Sequence, residues 1–293
     1  MRPGPASSGA APRLPRDGAF RTVEAVSYFD HNATSPLSAA AREAWLRAND
    51  EVWQNPSSPH RAGARARIRL DAERKKLAEV LDADPDRLIF TGGATEAASA
   101  VIAHFARTLP ADARIVVNPT EHPCVLEAVR ASFEPQRIAW LPITANGVVT
   151  PKAVTEMCHS ISDTGSGRVG AVVVMAANNE TGVLQPWTEL AEVCRQERVP
   201  FVCDASQWLG KLPAGGLGEA DWSFGAAHKF GGPKGVGFLQ RAADASGFSI
   251  RPGGGQQRGH RGGTEDLPGI AAMVAALRDA EQTKVLHEDE RLR

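Results

Sequence analysis

Seven short apolar runs, most of them rich in β-branched or aromatic residues, punctuate this chain, and longer stretches of helical period fill several of the gaps between them. The runs lie at Leu88–Thr91, Arg114–Val117, Arg137–Leu141, Ala171–Ala176, Pro200–Asp204, Asp221–Gly225 and Gly235–Gln240. Segments this short and apolar throughout read as strands covered on both faces. Helical period falls at Ser38–Trp53, Arg61–Leu81, Thr95–Thr108, Pro123–Ser132, Pro151–Ser160, Thr188–Glu197 and about Asp266–His287. This order of elements predicts an α/β fold in three layers, with a seven-stranded, mostly parallel sheet between two layers of helices.

The 33 basic and 34 acidic side chains among 293 residues leave a formal net charge of −1, which gives no footprint for nucleic acid. No apolar stretch approaches the ~20 residues of a membrane-spanning helix, so no membrane partner is expected. Cys124, Cys158, Cys194 and Cys203 have neither CxxC nor Cys/His ligand spacing, which predicts no metal site and fits a reducing, cytoplasmic setting. Residues 1–24 are rich in Ala, Pro, Gly and Ser and carry Arg2, Arg13 and Arg16 without an apolar core, so a disordered extension is expected there. A second biased stretch, RPGGGQQRGHRGG at Arg251–Gly263, reads as a flexible active-site or interface loop.

Chemistry concentrates where the predicted strands end. Gly92-Gly93-Ala94-Thr95 follows the first strand and opens a helix, so free backbone N–H groups and the helix dipole favour an anion such as phosphate. The glycines alone equally suit a tight strand-to-helix turn. Asp204 closes an apolar run and faces the carboxyl edge of the sheet, where it serves either as a helix cap or as a ligand carboxylate; Gln207 follows three residues on. His122 and Asn179 occupy loops after two further strands. Lys229 sits in Ala226-Ala227-His228-Lys229-Phe230-Gly231-Gly232, where small apolar neighbours favour a desolvated amine. Lys234 is its rival in the same turn, but it lies beyond Pro233, so Lys229 is preferred. A lysine able to bond an aldehyde, with a carboxylate that keeps a pyridine nitrogen protonated, is the pattern of a pyridoxal-phosphate (PLP) site.

In this order the motifs resemble the cysteine desulfurases of the class V, fold-type I PLP enzymes. The likeness begins at Tyr28-Phe29-Asp30-His31-Asn32-Ala33-Thr34-Ser35-Pro36, continues through Asn55-Pro56-Ser57-Ser58-Pro59-His60, and ends near Arg261-Gly262-Gly263-Thr264. It implies a PLP-binding large domain over 25–287, with 288–293 as the start of a small domain that is largely missing. Lys229 would carry the cofactor, Asp204 would meet its ring nitrogen, Gln207 its phenolic oxygen, and His122 would stack on the ring beside Asn179. Ala94, Thr95 and His228 would hold the phosphate, and Thr264 would reach the phosphate of a neighbouring subunit, which requires a homodimer. Lys229 or His122 would move protons. The implied reaction takes L-cysteine to L-alanine and passes sulfur to an enzyme thiolate, then to a sulfur-acceptor or iron–sulfur scaffold protein. Selenocysteine lyase, aminotransferase and a PLP-fold binding protein without turnover are the alternatives. Ala226 stands where the family usually has a phosphate-binding serine. The sulfur-carrying cysteine and the arginine for the substrate carboxylate are expected downstream of the segment that closes at Arg293.

Overall fold

The computed structural model describes residues 27–163, 167–245 and 247–291; the extension expected at 1–24 lies outside them. Seven strands form one sheet: β1 (Leu88–Thr91), β2 (Ala113–Val117), β3 (Ile138–Trp140), β4 (Arg168–Val173), β5 (Phe201–Asp204), β6 (Trp222–Ala226) and β7 (Gly237–Gln240). Their order is β1-β7-β6-β5-β4-β2-β3. All pairings are parallel except those of β7, which runs antiparallel to β1 and β6.

The helices are α1 (Ala39–Glu51), α2 (Arg61–Leu81), α3 (Ala94–Thr108), α4 (Pro123–Ser132), α5 (Pro151–Asp163), α6 (Trp187–Glu197) and α7 (Leu267–Arg291). Strand alternation sends apolar side chains into two cores. Val116, Val172, Phe201 and Cys203 pack with residues of α2, α5, α6 and α7 on one face. Ile115, Val117, Val173, Val202, Trp222 and Phe224 pack with α3 and α4 on the other. Helices α1 and α7 lie against each other.

Most expected elements are found within a few residues, and the differences have local causes. The strand expected at Arg137–Leu141 shortens to Ile138–Trp140 because Pro135–Arg137 closes a 3-10 turn. The strand expected at Ala171–Ala176 is shifted to Arg168–Val173, although Val174 N–H and Ala176 N–H still donate to Val202 O and Asp204 O at 3.0 and 2.9 Å. The Arg251–Gly263 segment is tied down at several points. Its Gln257 amide lies along the outer edge of β1, accepting from Phe90 N–H and donating to Phe90 O, both at 2.7 Å. That pairing covers backbone groups an edge strand would otherwise expose. It holds Gln257 and Arg258 at φ +47° and +59°, conformations uncommon for residues with a side chain.

Strand order reverses direction around β2, which has the later β4 on one side and β3 on the other. In an open α/β sheet, the crevice beyond the carboxyl ends of the strands at such a reversal is where ligands bind.

Candidate active site

At that crevice lies a cavity of about 430 Å³, lined by the turns that follow β1, β2, β4, β5 and β6. Eight of the nine residues expected from sequence line it: Ala94, Thr95, His122, Asn179, Asp204, Gln207, His228 and Lys229. Thr264 does not; it lines a separate, smaller pocket beside Arg261 and Glu265.

The Gly92–Thr95 turn forms one end. Gly93 adopts φ +138°, a region open mainly to glycine, and α3 starts there without a side-chain cap. A further glycine is needed opposite, since a Cβ on Gly237 would stand 2.7 Å from Gly93 Cα. Glu96, one turn into α3, holds this end in place. Its carboxylate accepts from Gly92 N–H, from Arg261 Nε and Nη2 at 2.9 and 3.2 Å, and from Arg251 Nη2 at 3.1 Å. Burial alone would raise the carboxyl's pKa, but these donors outweigh it and hold it below the ordinary glutamate range.

Asp204 forms the floor, 5% exposed. Its Oδ1 accepts from Ser206 N–H at 2.8 Å, so the capping role considered from sequence is present, but on a turn rather than on an α-helix. Burial raises its pKa, opposed by the Ser206 hydrogen bonds and by the positive charge of Lys229. Among the described residues no basic side chain pairs with it directly.

Lys229 ends the 3-10 turn Ala227–Lys229 that follows β6, and its Nζ donates to Asn32 O and Ala33 O at 2.6 and 3.1 Å. Burial lowers its pKa, although Asp204, Asp30 and Glu180 pull the other way. Lys234 lines the same cavity but is exposed. His228 Nδ1 lies 3.2 Å from Thr34 Oγ1, and burial lowers the ring's pKa. Gln207 Nε2 donates to Asn32 O at 2.8 Å, while its Oε1 accepts from Lys211 Nζ at 2.9 Å. The lysine thereby sets which way the amide faces. Asn179 O accepts from Asn32 Nδ2 at 3.0 Å.

His122 is both a cap and a wall. Its Nδ1 accepts from Cys124 N–H at 3.1 Å at the start of α4, so the neutral ring carries its proton on Nε2. In that tautomer the ring donates at Nε2 and has no free lone pair to act as a base. The four cysteines are free, and all are poor thiolates. Burial pushes Cys124 up to about 12 and Cys158 to about 11, and raises Cys194 and Cys203 as well.

Sequence reasoning gave no role to the Asn32 and Ala33 carbonyls, Lys211, Glu96 or Glu121. The carbonyls act through contacts between distant segments, which no local pattern announces, whereas Lys211 reaches Gln207 only four residues away. Glu96, one residue past the Gly92–Thr95 turn, was the most findable: an acid in the first turn of α3 beside an N–H-rich turn. Among the described residues no cluster of three or more His, Cys, Asp or Glu side chains is placed to hold a metal ion, and no helix is long and apolar enough to cross a membrane.

The same architecture occurs in known proteins. The family model described as Aminotransferase class-V matches residues 27–291. The IscS-like cysteine desulfurase of Mycobacterium tuberculosis is 38% identical over 263 residues, which cover 87% of this chain and 65% of that protein. The chain thus spans less than two thirds of that relative's length. A solved NifS-like protein superposes with a TM-score of 0.80 at 31% identity, over 87% of this chain and 69% of that one. A structure described as SspA in complex with cysteine gives a TM-score of 0.76 at 26% identity, over 90% and 78% of the two chains. With a seven-stranded mixed sheet flanked by helices, and with the family pattern running through nearly every described residue, the chain belongs to the class-V aminotransferase family.

Proposed function

We propose that this chain is the cofactor-binding portion of a PLP-dependent cysteine desulfurase. The observation that carries the reading is the convergence of Lys229 and the buried Asp204 carboxylate on one cavity whose far end is the uncapped start of α3. The residues fit the cofactor. A buried carboxylate without a direct basic partner suits a protonated pyridine nitrogen, and open N–H groups at a helix start suit a phosphate.

In this reading the N–H groups of Ala94 and Thr95, the Thr95 hydroxyl and His228 bind the phosphate, while Ala226 contributes no hydroxyl. Asp204 receives the ring N–H, Gln207 directs its amide as Lys211 dictates, and His122 packs beside Asn179 with its proton on Nε2. PLP, when bound, supplies an electron sink for charge that develops at the substrate's α-carbon. Lys229, which donates to the Asn32 and Ala33 carbonyls, would hold the cofactor. Lys229, desolvated and lining the cavity, would then be the proton carrier of the site, since His122 spends its Nδ1 lone pair on Cys124 N–H.

L-Cysteine is the substrate that the relatives favour, with L-alanine and a protein persulfide as products. Of the four cysteines only Cys124 lines the cavity, and burial raises its pKa, so none of the four offers a ready thiolate to take the sulfur. A second copy of the chain, meeting the first near Thr264, and a sulfur-acceptor protein complete the proposed assembly.

The test is to mix purified protein with PLP, reduce with borohydride and map the modified residue by mass spectrometry. Cofactor mass on Lys229, absent from Lys229→Ala, is the expected outcome. Folded protein that retains no cofactor refutes the reading. Sulfide release from L-cysteine then separates a desulfurase from a binder without turnover.

A further inference from the structure

Behind His122 lies a carboxyl group to which the proposed chemistry gives no task. Glu121 is 4% exposed. Its Oε1 accepts from Met175 N–H at 2.5 Å and from Asn118 Nδ2 at 3.1 Å, whereas its buried Oε2 has no partner. Those bonds join two walls of the cavity. Met175 follows β4 and lines the cavity, and Asn118 follows β2 and leads to His122. The two turns are further linked by Asn178 Nδ2, which donates to Thr120 O at 2.9 Å.

An ionised Glu121 would leave an unpaired charge on an oxygen that nothing solvates, a far costlier state than a buried O–H. The Asp204 carboxyl on β5 makes ionisation harder still. The other titratable groups that face it, the Cys203 thiol on β5 and the Cys124 thiol on α4, are kept neutral by burial. No basic side chain pairs with Glu121 among the described residues. Asp204, by contrast, feels the positive charge of Lys229. Two neighbouring buried carboxyls rarely ionise together, and this asymmetry says which one keeps the proton.

We propose that Glu121 is a positioning residue of this site: a neutral carboxylic acid, its proton on Oε2, that clamps the end of β4 to the turn bearing His122 and leaves Asp204 as the carboxylate anion of the cavity floor. In support, burial, with the charge of Asp204 adding to it, pushes Glu121 up to about 8 against the opposing Met175 and Asn118 donors. The proposal deepens the cofactor-site reading and rests on it for its purpose. Its test runs on cofactor-free protein, so the two can fail separately.

A carboxyl whose pKa is raised by folding costs stability as pH climbs from the unfolded value to the folded one. Glu121→Gln keeps the shape and one acceptor and cannot ionise. Its unfolding midpoint should match wild type near about pH 5 and exceed it by several degrees near about pH 9. Infrared difference spectra at neutral pH should show a protonated-carboxyl stretch in wild type that the variant lacks. Parallel stability curves and no such band overturn the proposal. If the variant does not fold, 13C-carboxyl NMR of wild type decides. One glutamate titrating near pH 8 upholds the neutral acid, and all glutamates titrating in the ordinary acidic range overturn it.

Discussion

Removing the Glu96 side chain tests how the cavity's anion-binding end is built. The carboxylate gathers four donors: Arg261 through two nitrogens, Arg251 through one, and Gly92 N–H. Glu96 and Arg261 are each 18% exposed, so their fork is only partly screened, and a charge-assisted pair of this kind contributes about 1.5–3 kcal/mol. Arg251 is 61% exposed and adds at most about 1 kcal/mol. Glu96→Ala should therefore lower unfolding stability at neutral pH by about 2–4 kcal/mol in urea titrations, with the Arg251–Gly263 segment loosened from α3. The pH dependence carries its own sign. Because the folded carboxyl titrates below its unfolded value, its contribution is complete above the ordinary glutamate pKa and disappears as pH falls through the depressed folded value. Wild type should lose this increment on acidification and the variant should not. A neutral-pH difference below about 0.5 kcal/mol, the range of ordinary surface substitutions, or identical acid limbs would refute the reasoning.

Other perturbations probe the remaining walls. Ala226→Ser restores a hydroxyl at the end of β6, where the side chain lines the cavity, and should tighten PLP about two- to tenfold in absorbance titrations. Lys211→Met frees the Gln207 amide to turn; it should weaken PLP retention about three- to tenfold and move the absorbance of the bound cofactor, while unchanged spectra and affinity would show that the lysine does not orient the amide. Trp222→Ala empties the space between Phe105, Phe248 and His104 and should cost about 3–5 kcal/mol, read from the urea midpoint.

Much of this architecture is legible in the residue order. Fully apolar runs such as Phe201-Val202-Cys203 announce strands buried on both faces, because each successive side chain must find a core. Helices such as α2 and α4 begin and end where their periodicity does. Eight of the nine candidate residues line one cavity because the carboxyl ends of such strands converge on one crevice; the ninth, Thr264, was expected to reach a neighbouring subunit instead. Neither the antiparallel run of β7 nor the reordering around β2 is written in any local pattern, since pairing partners are chosen by the whole sheet.

The folded structure decided what the side chains do there, at short range for His122 and Gln207 and at long range for Lys229. His122 was a candidate base until α4 took its Nδ1 lone pair, and Lys229 a bare amine until the Asn32 and Ala33 carbonyls, almost two hundred residues earlier, received it. Gln207 faces as it does because Lys211 holds its oxygen, and the cationic Arg251–Gly263 stretch is fastened by Glu96 and by its own Gln257. Residue identity gives a group its possible protonation states and its donors. Burial and neighbours select among them, because the cost of a charge or an unmet hydrogen bond depends on surroundings that exist only once the chain has folded.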